Sequence, residues 1–336
     1  MTGFIIIRLI VQTKYFLPKK VLVYYCSGEM HCNGWADRLK GIVTGYIIAQ
    51  MTGREFKIYM PHRPCDIKLV LLPATFDWTP SAEEVKSSNF FLRAMDTGGA
   101  GKQFRLIEDA ESFPRIVQYL SNMHLLPQLR TYPTFPKYLS ALSEAEVYKK
   151  IFAELFQLTP RLSKNLKDII QFSKNRQLHC IQLRFTEGGK SKGAFESEMI
   201  TESLPKFFAF MRNISNGKPS NYFVASNGMH AVEEGKRTFG NDFLETPGKA
   251  LHIDQSLNCT GLEKIIFDIE ILRRCDSLIL ADCGISFVAA YLREKNDYNL
   301  FCINYSRYLG RNPGNLIVKC NRSNIPYFYK NYRRNW

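Results

Sequence analysis

Short apolar runs alternate with helical patterns along most of the chain. The run 20–26 (KVLVYYC) has the length and the β-branched and aromatic content of a buried strand. A polar loop follows at 27–36, and the segment 37–52 then carries apolar residues at helical spacing. Gly53 is a typical helix stop, and 54–60 (REFKIYM) predicts the next strand. This order predicts a parallel βαβ unit whose first strand ends in a loop, where ligands bind in open α/β sheets.

A second alternating series occupies the C-terminal half. We expect its strands at 178–185, 221–225, 250–253, 277–281 and 300–304, and its helices at 198–213, 229–239, 262–274 and 286–294. Helices at 141–158 and 162–173 separate the two series. The pattern predicts an α/β protein with two Rossmann-like domains on either side of a cleft, residues 1–157 and residues 158–336.

Length and charge limit the class of protein. A chain of 336 residues fits about two domains at a prior of roughly 150 residues each. The net charge of +14 favours an anionic partner, and nucleic acid, lipid headgroups, acidic glycans and nucleotide diphosphates all qualify. Because the sequence lacks zinc-finger and ribonucleoprotein signatures, we expect no nucleic-acid partner. Its longest apolar runs are far short of the ~20 residues that a transmembrane helix needs.

The cysteines and the N-terminal residues bear on the compartment. Nine cysteines are scattered without a Cys-x-x-Cys pair, which favours free thiols in a reducing compartment. An apolar run near residue 1 has no basic stretch before it, so we expect no secretory signal. The sequence therefore predicts a cytoplasmic protein. Peripheral membrane association through the basic and aromatic tail 327–336 is an alternative, the Golgi lumen is less favoured, and the oligomeric state stays open.

Polar residues after strands are the remaining candidates for chemistry. The chain has no Gly-x-Gly-x-x-Gly, no P-loop and no Asp-x-Asp, which argues against NAD enzymes, P-loop kinases and a metal site. Asp37 can cap a helix whose amides, with Arg38, would bind an anion. Arg184 lies in an apolar run, which predicts a buried charge with an anionic partner. Ser226–Gly228 and Asp282–Phe287 follow two other strands and can hold phosphate with amides and hydroxyls.

Several of these segments resemble the GDP-fucose-dependent fucosyltransferases, most closely the α-1,6-fucosyltransferases, the rhizobial nodulation enzyme and their bacterial or viral relatives. The similarity extends over roughly residues 20 to 305 and rests on the order and spacing of degenerate motifs. These motifs are GWADRLKGIVTGYIIAQMTGREFKIY (34–59), FDW (76–78), LFQLTP (155–160), IQLRFTEGG (181–189), YFVASN (222–227) and IIFDIEILRRCDSLILADCGISFVAAYL (265–292).

The resemblance implies a GT-B fold and a metal-independent transfer of fucose, with inversion, from GDP-fucose to a glycan hydroxyl. It implies no cofactor beyond the nucleotide-sugar substrate. The Arg that grips the donor diphosphate in the family's His-x-Arg-Arg-x-Asp motif falls on Arg184. Gln182 and Phe185 replace the His and the second Arg, and Glu187 stands where the family has Asp. Asp268 matches the guanine-binding Asp, and either Gly284 or Ser286 matches the phosphate-binding Ser.

The candidate site residues fall into two sets. Glu29, His31 and Glu187 are the candidates for the base that activates the acceptor hydroxyl, and Arg184 is expected to stabilise the leaving diphosphate. Because Gln182 and Phe185 depart from the family, another nucleotide sugar is an alternative donor. A non-catalytic sugar- or nucleotide-binding relative is the other alternative. The expected donor-binding residues are Asn33, Gly34, Trp35, Asp37, Arg38, Gln182, Ser226, Asn227, His252, Asp268, Asp282, Gly284, Ser286 and Phe287.

Overall fold

The structure is a computed structural model. It describes residues 19–27, 32–61, 65–86, 90–94, 100–185, 192–248, 253, 256, 258–304, 315–323 and 325. Its strands are β1 (Val21–Tyr25), β2 (Glu55–Tyr59), β3 (Leu71–Pro73), β4 (Phe91–Ala94), β5 (Ile116–Ser121), β6 (Phe156–Leu158), β7 (Gln177–Leu183), β8 (Ser220–Ser226), β9 (Phe243–Leu244), β10 (Ser277–Leu280), β11 (Leu300–Ile303) and β12 (Ile317–Lys319).

Helices fill most of the connections between these strands. They are α1 (Trp35–Met51), α2 (Ala82–Lys86), α3 (Ala100–Glu108), α4 (Leu126–Leu129), α5 (Lys137–Ser140), α6 (Glu144–Leu155), α7 (Pro160–Phe172), α8 (Lys192–Ser215), α9 (Met229–Phe239), α10 (Thr260–Leu272) and α11 (Gly284–Leu292). None of the helices within the described ranges is both long enough and apolar enough to cross a membrane.

Two parallel sheets confirm the α/β class. The first has the strand order β2-β1-β5-β4, and all its pairs are parallel. The second has the order β12-β11-β10-β7-β8-β9, in which only β12 runs antiparallel. Parallel strands need crossover connections, and helices such as α1 and α11 supply them. The central strands are buried along nearly their whole length, as expected for a sheet covered on both faces.

Helix α1 lies unusually close to the first sheet because two glycines face it. A Cβ at Gly41 would overlap the carbonyl oxygen of Ser121, the last residue of β5. A Cβ at Gly45 would lie 2.9 Å from the ring of Tyr119 in the same strand. These contacts fix the height of α1 above the sheet and therefore the position of its first turn.

One apolar core contains residues of both sheets and of both halves of the chain, and a separate core lies between the second sheet and helices α8 and α9. Tyr291 of α11 donates a hydrogen bond of 2.9 Å to Glu144 of α6, and Arg161 pairs with Glu263. The expected boundary at 157/158 falls inside β6, which pairs with β3. The division into two domains at that point stays a prediction.

The expectation of free thiols is wrong. Eight of the nine cysteines form disulfides, and only Cys283 is unpaired. The bonds join Cys26 to Cys32, Cys65 to Cys259, Cys180 to Cys275 and Cys302 to Cys320, with Cα–Cα distances of 4.7–6.1 Å. No local sequence pattern marks these bonds, because three of the pairs are 18 to 194 residues apart and meet only in the folded chain.

One expected strand cannot be compared with the structure. Most of 250–253 lies outside the described residues, and Ile253 is in a single 3-10 turn. The edge position beside β8 belongs instead to the short strand β9.

Candidate functional site

The carboxyl ends of the central strands bring the candidate residues of the second sheet together. Leu183 at the end of β7 pairs with Ser226 at the end of β8, and Gln182 pairs with Leu280 at the end of β10. The segments that continue from these strands, 184–185, 227–228 and 281–283, therefore emerge side by side. Asp282 is half-buried in the last of them.

Arg184 lies at this edge, but it is not buried as expected. Strand β7 ends at Leu183, and Arg184 follows it with an exposed side chain. It forms no hydrogen bond or ion pair with any other residue that the structure describes. An unpaired guanidinium is costly to bury, so the chain leaves the sheet before this residue. Its charge is consequently available to an anion from outside.

Gln182 and Ser286 hold the first turn of α11 beneath the edge. The Ser286 hydroxyl donates a hydrogen bond of 2.6 Å to Gln182 Oε1, and the Cys283 thiol donates to the same oxygen at 3.2 Å. Gln182 Nε2 donates to the carbonyl of Leu183 at 3.0 Å. Both Gln182 and Ser286 are buried. Their polar atoms therefore bind each other, and their role here is to position the start of the helix.

The thiol of Cys283, at the start of α11, is influenced by the charge of Arg184. Burial raises the pKa of the Cys283 thiol, while hydrogen bonds with Ser286 and the positive charge of Arg184 oppose the rise. Cys283 is the N-cap residue of α11, and its side chain does not cap the helix. The first backbone N–H groups of α11 thus point to the same region as the Arg184 charge.

Asn227 positions the segment that carries Arg184. Its Oδ1 accepts a hydrogen bond of 2.8 Å from the backbone N–H of Phe185, and its Nδ2 donates to the carbonyl of Phe185 at 2.6 Å. Gly228 follows, and a Cβ there would lie 2.5 Å from the ring of Phe185. The Ser226 hydroxyl accepts from the Gly228 N–H at 3.0 Å. These contacts hold the backbone immediately after Arg184.

The first turn of α1 reaches the same place from the other sheet. A Cβ at Gly284, the first residue of α11, would lie 2.9 Å from Cβ of Ala36 in α1. Gly34 is the N-cap of α1, and no side chain caps this helix either. The uncapped starts of α1 and α11 are therefore in contact with each other. Helix starts with free N–H groups favour phosphate and other anions.

Two charged residues of α1 differ from their expected roles. Asp37 does not cap the helix; it lies in the first turn and pairs with Lys40 at 2.6 Å. Arg38 is buried, and its Nε donates to the carbonyl of Asn33 at 2.9 Å. Asn33 has a φ of +62°, a left-handed conformation that this bond stabilises. Arg38 thus fixes the turn that leads into α1.

A pocket adjoins this edge at the ends of β8 and β9. Asp268 of α10, the expected guanine ligand, is buried beside it. Lys264 Nζ lies 2.5 Å from Asp268 Oδ1, and the Thr246 hydroxyl donates to that same oxygen at 2.8 Å. Burial raises the pKa of Asp268, and Lys264 and Thr246 oppose that rise. Lys264 and Thr246 line the pocket, so they stand between it and the carboxylate.

Trp35 and Phe287 belong to the core. Trp35 is fully buried and packs against Phe156 with ring centroids 6.0 Å apart. Phe287 is buried in an aromatic cluster with His124, Tyr148 and Tyr291. Their expected role in donor binding stays a prediction. The expected site residues Glu29, His31, Glu187 and His252 lie outside the described residues.

Structural comparison identifies the fold. An Arabidopsis thaliana FUT1 mutant solved in complex with GDP aligns with a TM-score of 0.60 and 12% identity, over 85% of this chain and 70% of that one. Fucosyltransferase NodZ from Bradyrhizobium aligns with a TM-score of 0.54 and 14% identity, over 90% and 99% of the two chains. The chain has the fold of these fucosyltransferases. No protein-family profile and no curated protein sequence matches it.

Lys264 and Thr246 line the pocket at the ends of β8 and β9 and were not predicted from the sequence. Lys264 lies four residues before Asp268 on a predicted helix, and that spacing alone indicates a pair on one face. No comparable signal marks Thr246, which reaches the pocket only because β9 pairs with β8. Within the described ranges, no cluster of three or more His, Cys, Asp or Glu side chains is arranged to hold a metal ion.

Proposed function

We propose that this protein is a glycosyltransferase that moves fucose from GDP-fucose to a hydroxyl of a glycan acceptor, with inversion and without a metal ion. The observation that carries the proposal is the exposed Arg184, which has no hydrogen-bond or ion-pair partner among the described residues, beside the uncapped start of α11. The fold neighbours support the choice of GDP as the nucleotide, since one was solved with GDP and a NodZ α-1,6-fucosyltransferase was soaked with GDP-fucose.

The leaving diphosphate is the group that needs the most stabilisation in this reaction. When the sugar–phosphate bond breaks, negative charge grows on the departing diphosphate. A fixed guanidinium and helix-start N–H groups lower the energy of that charge, because they are already oriented and need no rearrangement. Arg184 and the first turn of α11 fill this role in the proposal. Gln182, Ser286 and Asn227 then act as positioning residues.

The acceptor hydroxyl also needs a base. Glu29, His31 and Glu187 stay the candidates, and the structure describes none of the three. The Cys26–Cys32 disulfide closes the loop that carries Glu29 and His31 at the carboxyl end of β1. That loop leads directly to the start of α1, which supports its placement next to the reacting sugar.

A different donor sugar is the second candidate. The Oε1 atom of Gln182 accepts hydrogen bonds from Ser286 and Cys283, and the ring of Phe185 is buried against Gly228. Neither position offers a charged group to the donor, whereas the family pattern has His and Arg there. A sugar other than fucose on the same nucleotide would account for both changes.

Nucleotide choice gives the first test of the proposal. We expect GDP to raise the melting temperature more than UDP, because a purine buries more apolar surface in the pocket at β8 and β9. A ligand at 100-fold excess over its dissociation constant adds about 2.7 kcal/mol to the free energy of unfolding. A thermal-shift series with GDP, UDP, dTDP and their sugars measures this. Equal or larger shifts with UDP would contradict the guanine nucleotide assignment.

Chelation tests the metal-independent mechanism. We expect release of fucose from GDP-fucose, or its transfer, to persist in excess EDTA, because Arg184 and backbone N–H groups carry the phosphate charge in this mechanism. Enzyme treated with EDTA and then dialysed against Mn²⁺ is the control. Activity that disappears with EDTA and returns with Mn²⁺ would show that a metal ion participates.

We further propose that the protein works in an oxidising compartment and not in the cytoplasm expected from the sequence. Disulfides persist in secretory and extracellular environments and are rare where glutathione keeps thiols reduced. Eight of the nine cysteines are paired, which supports the oxidising alternative. Peripheral membrane association stays a prediction.

A further inference from the structure

Four Asn-x-Ser/Thr triplets occur in the chain, and the function proposed above uses none of them. They begin at Asn213, Asn258, Asn304 and Asn321. Such a triplet is the acceptor sequence for N-linked glycosylation when its middle residue is not proline, and the glycan is a bulky hydrophilic group that has to lie on the protein surface. Triplets this short also arise by chance. Exposure and hydrogen bonding in the folded chain distinguish among the four.

The disulfides bear on whether these triplets meet the enzymes that use them. N-linked glycosylation is a modification of secreted proteins, and disulfides form and persist in the compartments through which those proteins pass. Four disulfides join eight of the nine cysteines. One of them includes Cys259, the middle residue of the triplet at Asn258, which is bonded to Cys65. In the oxidising compartment proposed above, the chain would therefore be a substrate for N-linked glycosylation.

Exposure separates three of the triplets from the fourth. The side chains of Asn213, Asn258 and Asn321 are exposed. Asn304, which follows β11, is half-buried, and its Nδ2 donates to the carbonyl of Asn315 at 3.4 Å. Because a glycan is attached through Nδ2, Asn304 would have to give up this hydrogen bond and its packing to carry one.

Thr260 holds the amide of Asn258 in one orientation. The backbone N–H of Thr260 donates to Asn258 Oδ1 at 3.0 Å, and the Thr260 hydroxyl donates to the same oxygen at 2.6 Å. The amide oxygen is therefore turned toward the chain, and Nδ2 lies on the other side of the amide group. Ser323 makes the equivalent contact in its own triplet, where its hydroxyl donates to Asn321 Oδ1 at 2.6 Å.

Two of the exposed triplets lie far from the proposed diphosphate site. Asn213 is in the last turn of α8, just before β8 begins, and Asn321 follows β12, whose Lys319 pairs with Phe301 near the start of β11. Both are thus at the amino edge of the second sheet. Strands β7 and β8 have seven residues each, so this edge is about 20 Å from the carboxyl edge that carries Arg184. Glycans at these positions would leave the proposed site uncovered.

We propose that Asn213, Asn258 and Asn321 carry N-linked glycans and that Asn304 does not. In each transfer, Nδ2 forms a bond to the anomeric carbon of an oligosaccharide that is carried on a lipid diphosphate. The bond from that carbon to the diphosphate oxygen breaks, the lipid diphosphate leaves, and the amide loses one proton. The compartment supplies the lipid-linked oligosaccharide and the transferring enzyme. The inference depends on the proposed oxidising compartment and is independent of the reaction that this protein catalyses.

Site mapping on the secreted full chain tests the assignment. Peptide N-glycosidase in heavy-oxygen water converts each glycosylated asparagine to a labelled aspartate, which mass spectrometry locates. We expect label at Asn213, Asn258 and Asn321 and none at Asn304. A missing label would overturn the assignment of that asparagine, and label at Asn304 would overturn exposure as the criterion. Protein with its four disulfides but no label would refute the glycan sites and leave the proposed compartment intact, whereas protein with neither would refute both.

Substitutions in the Asn258 triplet separate glycosylation from a purely local role in the turn before α10. Asn258→Asp keeps the oxygen that accepts from Thr260 but removes Nδ2, so it should lose one glycan and keep the melting temperature of the deglycosylated parent. Thr260→Val should lose the same glycan, and Thr260→Ser, which preserves the triplet, should retain it. Asn304→Gln is the matched control and should migrate on a denaturing gel with the parent. An Asn258→Asp protein that also migrates with the parent would show that Asn258 carries no glycan.

Discussion

At the carboxyl edge of the second sheet, some side chains are exposed to a ligand, and others form hydrogen bonds that fix the backbone of the edge. Arg184 is exposed and has no partner among the described residues. Gln182, Ser286 and Asn227 have their polar atoms in short hydrogen bonds with protein groups. The Arg184 guanidinium therefore contributes little to the stability of the fold. Its position depends on Gln182, Ser286 and Asn227, whose hydrogen bonds do contribute to that stability.

This division predicts the behaviour of Arg184 variants. Arg184→Ala should lower the rate of transfer about 10²- to 10³-fold, the usual cost of one preorganised donor to a developing anion. Its melting temperature should change little, because Arg184 forms no hydrogen bond or ion pair with another described residue. Arg184→Lys should recover little activity, since an ammonium cannot make the planar two-point contact with phosphate oxygens. Paired measurements of transfer rate and melting temperature check both expectations.

A second exposed arginine serves as the control for that experiment. Arg237 lies in the last turn of α9 and pairs only with Glu234 of the same helix among the described residues. Arg237→Ala should leave both the rate and the melting temperature close to those of the unmodified protein. A stable Arg184→Ala protein with unchanged transfer would refute the role assigned to Arg184.

Sequence alone predicted which residue types gather at the edge but not which of them face outward. Arg184 was expected to be buried because an apolar run surrounds it, and the run does not reveal that β7 ends one residue earlier. Asp268 was identified, and its spacing from Lys264 indicates their pairing, but the contact of both with Thr246, which follows β9, depends on tertiary packing. Exposure and partner choice are set by tertiary packing, which a single sequence does not display.

At the level of elements, the site depends on how closely α1 and α11 approach their surroundings. Gly41 lets α1 sit on the end of β5, and Gly284 lets the first turn of α11 touch Ala36. Both contacts lie within two turns of the helix starts that are proposed to face the diphosphate. A helix displaced by the width of a methyl group would therefore carry its N–H groups away from the phosphates.

The contact of Gly41 can be tested with an alanine. Gly41→Ala should lower the free energy of unfolding by roughly 3 kcal/mol, the upper end of the usual cost of overpacking, because its Cβ would overlap a backbone oxygen that cannot move aside. Gly101 in α3 is the matched control, since a Cβ there meets nothing within 4 Å. Gly101→Ala should stabilise by about 0.5–1 kcal/mol. Denaturant unfolding compares the two, and a Gly41→Ala protein as stable as the control would contradict the packing described.

Most central strands were predicted from the sequence, but β5 was not, although it lies between β1 and β4 and is almost fully buried. The central strands β1, β7, β8 and β10 read as nearly continuous apolar runs, as parallel strands do. Strand β4 was missed because it is short and Phe91 and Arg93 are exposed. Strand β9 has only two residues, so no period can mark it. Edge strands owe their structure to the neighbour they pair with.

At the scale of the whole molecule, several contacts hold the two halves of the chain together. His124 bonds to Tyr148 at 2.8 Å and to Glu144 at 3.0 Å, and Tyr291 of α11 reaches the same carboxylate. The hydrogen bond with His124 lowers the pKa of Glu144 and offsets the effect of its partial burial. The Cys65–Cys259 disulfide adds a covalent connection between the halves. Such contacts limit how far the two halves of the chain can move relative to each other.

Cys65–Cys259 and Cys302–Cys320 allow the covalent contribution to be measured. The first closes a loop of 194 residues and the second a loop of 18. In the chain-entropy model, removal of the long-range bond costs about 5 kcal/mol of stability and removal of the short-range bond about 3 kcal/mol. The double variants Cys65→Ser/Cys259→Ser and Cys302→Ser/Cys320→Ser should therefore both be less stable than the parent, and the first should lose more. Denaturant unfolding under non-reducing conditions makes the comparison.

Mapping of the disulfides by mass spectrometry tests the proposed oxidising compartment. Non-reducing peptide mapping of material secreted by a eukaryotic host should find the four pairs and a single alkylatable thiol at Cys283. Protein made in a reducing cytoplasm should show nine alkylatable thiols and a lower melting temperature, because the unfolded chain is then unconstrained. If both preparations carry free thiols throughout and melt alike, the proposed oxidising compartment is wrong. In that case the spatial pairing of these cysteines would reflect packing alone, and the cytoplasmic location expected from the sequence would again be favoured.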